Sequence, residues 1–177
     1  MKVYRLNKKG QMFKKSQIGD KKVEAVAKNI KDFVDEDVII FDTPFVKDEP
    51  LSNMVFSCFD NMKARKELYE DWKDKFGSTN EDSILIDMRL SVENLQIFCV
   101  TKNTLNKYEK FLYTDEEVPE LACTFKQTTH SAMMIASHAV AFFTNHITNV
   151  FEGEEIRNVP FFWEYVIPLD ILNYNCE

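Results

Sequence analysis

The alternation of apolar and polar positions along the chain predicts an α/β protein. Short continuous apolar runs bounded by polar loops are typical of buried strands, whereas apolar positions three or four residues apart are typical of amphipathic helices. The runs predict strands at residues 37–41, 54–59, 83–88, 95–100 and 161–167. The spaced positions predict helices at residues 16–34, 61–76, 104–112 and 124–148. The strands at 83–88 and 95–100 have the spacing of an antiparallel pair joined by a short polar turn.

The junction at residues 58–66 joins the end of an apolar strand to Asp60, Asn61 and the start of a helix. In an open α/β sheet, ligands bind just beyond the carboxyl ends of the strands, which is the position of Asp60. Asp and Asn also cap helices, because their side chains accept hydrogen bonds from first-turn N–H groups. Asp60 is therefore either a ligand-binding residue or part of an ordinary helix cap.

Length and composition predict one globular domain that spans residues 1–177. The chain is 45% apolar and 13% aromatic, which is enough for a hydrophobic core. Its net charge of −7 disfavours non-specific binding to nucleic acid, which needs a basic surface. The first residues are charged and lack the apolar core of a secretory signal, so we expect a cytoplasmic protein. Polar residues interrupt the helix at 124–148, which favours a core or subunit-interface helix over a membrane span.

The cysteines and histidines do not have the spacing of a zinc site. None of the four cysteines forms a Cys-x-x-Cys pair, and the three histidines recur every eight residues, which turns each about 80° from the last on a helix. Cys58 and Cys99 fall in strand-like apolar runs, where a small buried thiol is expected. Cys123 follows a polar segment and opens a helix, whose N-terminus would stabilise a thiolate nucleophile. The acidic residues close to it would oppose thiolate formation.

Four blocks in a fixed order along the chain carry a resemblance to a known family. The first block has Val3, Asn7 and Gln11, the second is the run 18–23 with Lys22 on the family's lysine, and the third is Asp60-Asn61 followed by Ala64-Arg65. The fourth block comprises the runs 84–89, 95–98 and 119–123, the last of which ends at Cys123. In this order the sequence resembles the C-terminal part of the ThiF/MoeB family, whose members are adenylating enzymes related to ubiquitin-activating enzymes.

The resemblance implies a fold, an activity and a set of site residues. The fold would be Rossmann-like, with a mostly parallel sheet, flanking helices and an antiparallel extension. Relatives use ATP and magnesium to adenylate the C-terminal carboxylate of a ubiquitin-like or sulfur-carrier protein. By the same resemblance, Asn7, Gln11 and Lys22 line the phosphate side, with Lys22 neutralising charge as pyrophosphate leaves. Asp60 holds magnesium or orients the nucleotide, and Cys123 matches a crossover cysteine that is linked covalently to the carrier protein in some relatives.

The sequence departs from the family at the nucleotide loop. The family's glycine-rich phosphate loop lies upstream of the matching region, and this chain has only four glycines, at positions 10, 19, 77 and 153. Three hypotheses follow. The chain is a piece of a split enzyme whose partner supplies the loop, a degenerate noncatalytic homologue that acts as a protein-binding or dimerisation module, or an unrelated structural protein. The first two imply a homo-oligomer or a complex with a complementing subunit.

Overall fold

A five-stranded mixed sheet forms the centre of the protein, for which the computed structural model describes residues 2–4, 12–113 and 129–175. The strands are β1 (Met54–Ser57), β2 (Ile84–Ser91), β3 (Asn94–Val100), β4 (Phe162–Val166) and β5 (Ile171–Asn175), and they lie side by side in that order. β1 runs parallel to β2, and the remaining neighbours pair antiparallel. The α/β class is therefore confirmed.

The expectation of a mostly parallel sheet is wrong for the described residues. The turn between β2 and β3 consists of only two residues, Val92 and Glu93, and so short a turn can join only antiparallel strands. A similarly short connection, residues 167–170, joins β4 to β5. The β1–β2 connection, residues 58–83, carries the helix that a parallel pair requires. The β3–β4 connection, residues 101–161, is also long, but these two strands pair antiparallel. The antiparallel extension thus makes up most of the described sheet.

The described residues form four α-helices, two of which cover the opposite faces of the sheet. The helices are α1 (Lys22–Val34), α2 (Met62–Trp72, continued by a π turn at Lys73–Gly77), α3 (Leu105–Tyr108) and α4 (Thr129–Glu152). Alternate residues of a strand point to opposite faces of the sheet. On one face, Leu68 and Trp72 of α2 pack with Leu85 and Phe98. On the other face, α4 packs against a second cluster, which contains Ile84, Ile86, Ile97, Ile135 and Trp163. No helix among the described residues has the length and apolar content needed to cross a bilayer.

The strand predicted at residues 37–41 does not form. Residues 37–42 have no strand partner among the described residues, and Ile39 is 87% exposed while Phe41 is 57% exposed. A strand gains its stability from the neighbour that satisfies its backbone groups, so an apolar run alone is insufficient. The segment is an exposed apolar stretch without regular secondary structure.

Two other element predictions also need correction. The helix predicted from Ser16 begins at Lys22, because Gly19 takes a φ of 100° that breaks the helical path. The helix predicted at 104–112 is reduced to the single turn of α3, flanked by 3-10 turns. β5 was not anticipated at all. Its sequence, Ile-Leu-Asn-Tyr-Asn, is short and has no continuous apolar run.

Candidate functional site

In the turn between β1 and α2, Asn61 caps the helix and Asp60 does not. Asn61 is the N-cap of α2, and its side-chain oxygen accepts a hydrogen bond of 2.8 Å from the Ala64 N–H. Asp60 is exposed, and its carboxylate accepts a hydrogen bond of 3.2 Å from the Asn61 amide. Because Asn61 does the capping, the Asp60 carboxylate is left beyond the carboxyl end of β1, where it can contact a ligand.

Arg65 links this turn to the neighbouring strand β2. It lies one turn into α2 and is buried, with 7% of its surface exposed. One end of its guanidinium donates to the Phe59 carbonyl, and the other donates to Asp87 on β2. Asp87 lies opposite Ser57 in the parallel pairing of β1 and β2, so the ion pair ties the turn before Asp60 to the neighbouring strand. The backbone at Asp60 is therefore fixed by a buried contact.

Asp87 is the centre of a larger buried network. Its second carboxylate oxygen accepts from Arg89 Nε at 2.7 Å and from the Tyr108 hydroxyl at 2.9 Å. Arg89 also donates to the Phe111 carbonyl at 2.9 Å. Burial raises the pKa of the Tyr108 hydroxyl, and Asp87 adds to the rise. For Arg89, burial disfavours the charged form, but the interactions with Asp87 and Tyr108 together outweigh burial and raise the pKa. Arg89 therefore stays charged.

Sequence reasoning missed this network. The visible signal was the presence of Asp87 and Arg89 inside the apolar run of β2, where an unpaired charge would be costly. Two charges at i and i+2 on a strand share a face, which predicts that they pair. The contributions of Arg65 and Tyr108 come from other elements and could not be read from spacing alone.

The two described cysteines differ in exposure. Cys58 was expected to be a buried thiol, but it is exposed, because β1 ends at Ser57 and the chain leaves the sheet there. Desolvation around the sulfur nevertheless raises the pKa of the Cys58 thiol, with Asp87 adding to the rise and Arg65 opposing it. Cys99 is buried as expected, and burial raises the pKa of its thiol to about 12. Neither residue is activated as a thiolate nucleophile at neutral pH.

The other predicted site residues are only partly described. Lys22 is half-buried at the first position of α1, and among the described residues no ion pair or hydrogen bond joins it to Asp60. Its neighbour Lys21 pairs with Asp42 at 2.6 Å. Asn7, Gln11 and Cys123 lie outside the described residues.

A magnesium ion needs few protein ligands when a nucleotide supplies others. Magnesium bound with a substrate's phosphates typically takes one or two carboxylates and keeps several waters. In the ranges that the structure describes, no three His, Cys, Asp or Glu side chains converge on a metal-sized site. A single exposed carboxylate at Asp60 fits the role of a nucleotide-dependent magnesium ligand and does not fit that of a site that binds the metal alone.

A groove of about 460 Å³ beside α2 is not part of this arrangement. Its charged lining residues are Lys47, Lys66, Lys73, Glu70, Asp74 and Glu109. Lys73 pairs with Glu109 at 2.5 Å and Lys47 with Asp74 at 3.4 Å, so the lysines are compensated by carboxylates. A groove with balanced charge has no strong attraction for a polyphosphate.

In comparisons with known proteins, no protein-family model and no curated protein matches the chain.

Proposed function

We propose that the chain is the C-terminal part of a ThiF-like, Rossmann-like adenylating domain that works with a second polypeptide. The second polypeptide would supply the glycine-rich loop, and the complex would adenylate the C-terminus of a ubiquitin-like or sulfur-carrier protein. In this reaction a carboxylate oxygen of the carrier attacks the α-phosphorus of ATP. The bond between the α- and β-phosphates breaks, and pyrophosphate leaves. The proposal rests on the ordered sequence blocks together with the geometry around Asp60.

The position of Asp60 is the observation that carries the proposal. It lies beyond the carboxyl end of a strand in a parallel pair, it is exposed, and it is not consumed by capping. Arg65 holds its turn through the Phe59 carbonyl, which limits the movement of the carboxylate. When ATP and magnesium are bound, Asp60 would ligate the ion. Lys22, Asn7 and Gln11 would lie on the phosphate side. The Cys123 thiolate would attack the acyl carbon of the adenylate, so that a thioester forms and AMP leaves.

The exposed apolar surface of the N-terminal part supports a complementing subunit. Val38, Ile39, Ile40 and Phe41 form a continuous apolar run whose four side chains are all exposed. In sequence, such a run is typical of a strand inside a parallel sheet that is covered by helices on both faces. The outer edge of β1 is likewise unpaired among the described strands. A chain that brings further strands and helices would cover both features.

A degenerate noncatalytic homologue is the second candidate. The scarcity of glycine favours it, because a phosphate cradle requires backbone N–H groups without side chains in the way. Such a homologue would keep the same exposed surfaces and use them only to bind a protein or to dimerise. Both candidates therefore predict an association partner, and they differ in catalysis.

Calorimetry with MgATP tests whether the site is incomplete in the chain alone. The isolated chain should bind ATP weakly or not at all, because most of the polyphosphate would stay solvated. Low-micromolar affinity for the isolated chain would contradict the need for a complementing loop. Pyrophosphate exchange by the chain purified with its native partner separates the candidates. Exchange supports the adenylating enzyme, and a stable complex without exchange supports the noncatalytic homologue.

A further inference from the structure

β5 forms an edge of the sheet that is unusually open to another strand. All five of its residues are exposed, and it has no strand neighbour beyond β4 among the described residues. Edge strands usually carry a lysine, a proline or a bulge that prevents pairing with other chains. β5 has none of these, and Leu172 and Tyr174 are 51% and 64% exposed.

The hydrogen-bond pattern shows which backbone groups face outward. Ile167 N–H donates to the Glu93 carbonyl, and Cys99 N–H donates to the Phe161 carbonyl. The odd-numbered residues of β4 therefore bond to β3, and its even-numbered residues face β5. Since Glu164 pairs with Asn173, the residues of β5 that bond to β4 are 171, 173 and 175. The N–H and C=O groups of Leu172 and Tyr174 consequently point to the open edge.

These outward groups are arranged symmetrically about Asn173. If a second copy of the chain lies antiparallel with Asn173 opposite Asn173, Leu172 of each copy faces Tyr174 of the other. Both outward N–H groups and both outward C=O groups of each copy then find partners. The same register places Leu172 and Tyr174 on the α4 face, since they follow Tyr165 and Trp163 across the sheet. The pairing would form two apolar Leu–Tyr contacts on that face.

Charge also favours a second copy at this edge. The chain carries a net charge of −7, so two copies repel each other on average. The segment Ile171–Asn175 contains no acidic or basic side chain. The nearest carboxylate on β4, Glu164, accepts hydrogen bonds from Gln96 at 2.7 Å and from Asn173 at 3.1 Å, on the face opposite to Leu172 and Tyr174.

We propose that two copies of this chain associate through antiparallel pairing of β5, centred on Asn173, to form one continuous sheet. The inference rests on the sheet alone and does not depend on the proposed adenylation. A pairing of two short strands buries less surface than a standard interface of roughly 1,600 Å². The dimer is therefore weak and dissociates on dilution.

Sedimentation velocity under reducing conditions, over about micromolar to millimolar concentrations of the full chain, tests the dimer. The wild type should shift from monomer to dimer. Tyr174→Pro removes an outward N–H and no bond to β4, so it should abolish the dimer with little change in melting temperature. Leu172→Lys should weaken it by about tenfold or more. Leu169→Lys, at a 66% exposed position just before the strand, is the matched control and should dimerise like the wild type.

Disulfide trapping tests the register. When oxidised by dissolved oxygen, a mixture of Leu172→Cys and Tyr174→Cys chains should form a mixed disulfide between positions 172 and 174, identified by mass spectrometry. Opposed residues of this pairing have Cα atoms about 5.5 Å apart, which a disulfide can bridge. Leu172→Cys alone should not form a bond between its two copies of position 172. A wild type that stays monomeric throughout, or a dimer that survives both Tyr174→Pro and Leu172→Lys, would overturn the proposal. If Tyr174→Pro fails to fold, Leu172→Lys and the trapped register decide.

Discussion

Replacing Arg65 by methionine should destabilise the fold strongly, because it leaves Asp87 buried with one partner fewer. Arg65 is 7% exposed and Asp87 is fully buried, so water cannot replace the lost contact. Removing one member of a buried ion pair typically costs about 3–5 kcal/mol. Asp87 keeps hydrogen bonds from Arg89 and Tyr108, which places Arg65→Met near the lower end, at about 3 kcal/mol.

The converse change should cost more. Asp87→Leu removes the acceptor for both arginines and for the Tyr108 hydroxyl, so its cost should be near the upper end, at about 5 kcal/mol. For a chain of this length, each kcal/mol lowers the melting temperature by roughly 2–4 °C. Arg65→Met should therefore lower it by about 6–12 °C.

Urea denaturation and thermal melting of the two single variants and the double variant measure this coupling. The double variant should be clearly less destabilised than the sum of the single changes, because it no longer leaves an uncompensated Arg65 or Asp87 charge. Lys47→Met is the control, since Lys47 and Asp74 form an exposed pair 3.4 Å apart and its loss should change stability by less than about 0.5 kcal/mol. Costs below about 1 kcal/mol for both single variants, with simple additivity, would refute the reasoning.

Four further substitutions test other parts of the structure. Asn61→Ala should lower the free energy of unfolding by about 1 kcal/mol, because it removes the N-cap of α2. Asp60→Asn should change that free energy by less than about 0.5 kcal/mol. Equal losses for the two variants in urea denaturation would contradict the assignment of Asn61 as the cap. Gly77→Ala should cost about 1–3 kcal/mol, because its Cβ would lie 2.6 Å from a ring carbon of Trp72, and an unchanged melting temperature would contradict this close packing. Partial burial disfavours ionisation of Glu164, but hydrogen bonds from Gln96, Asn173 and Asn94 outweigh it and lower the pKa of its carboxyl. That stabilisation is present at neutral pH and is lost as the pH falls through the folded-state pKa, so the advantage of the wild type over Glu164→Gln should shrink below about pH 4, and a constant difference from neutral to acidic pH would argue against it.

Local sequence pattern predicted the elements whose stability is local or whose partners are close in the chain. The strand at 54–59 and the pair at 83–88 and 95–100 are present as β1, β2 and β3, since each is an apolar run next to its partner in the sheet. The Asp60-Asn61 turn was likewise visible, because a cap and the strand before it lie within a few residues. The sequence alone does not show which of the two residues caps α2. The hydrogen bond from the Ala64 N–H to the Asn61 side chain identifies Asn61 as the cap.

The remaining features depend on partners that spacing does not reveal. The apolar run at 37–41 has the composition of a strand, but no described strand satisfies its backbone. β5 is stabilised by its pairing with β4, and not by an apolar run of its own. The Asp87 network joins α2, β2 and α3, whose contributions meet only after the sheet has formed. Pairing with a neighbouring strand, and not apolar content, therefore decided both the failed and the missed strands.

Pyrophosphate exchange by Asp60→Asn, in the complex with the complementing chain, shows whether the Asp60 carboxylate takes part in adenylation. Asparagine keeps the size of Asp60 and removes the charge that would bind magnesium, and Asn61 continues to cap α2. We predict that exchange falls by about a hundredfold or more while the melting temperature stays that of the wild type. Full exchange activity in the Asp60→Asn complex would contradict the assignment of Asp60 as the magnesium-binding residue.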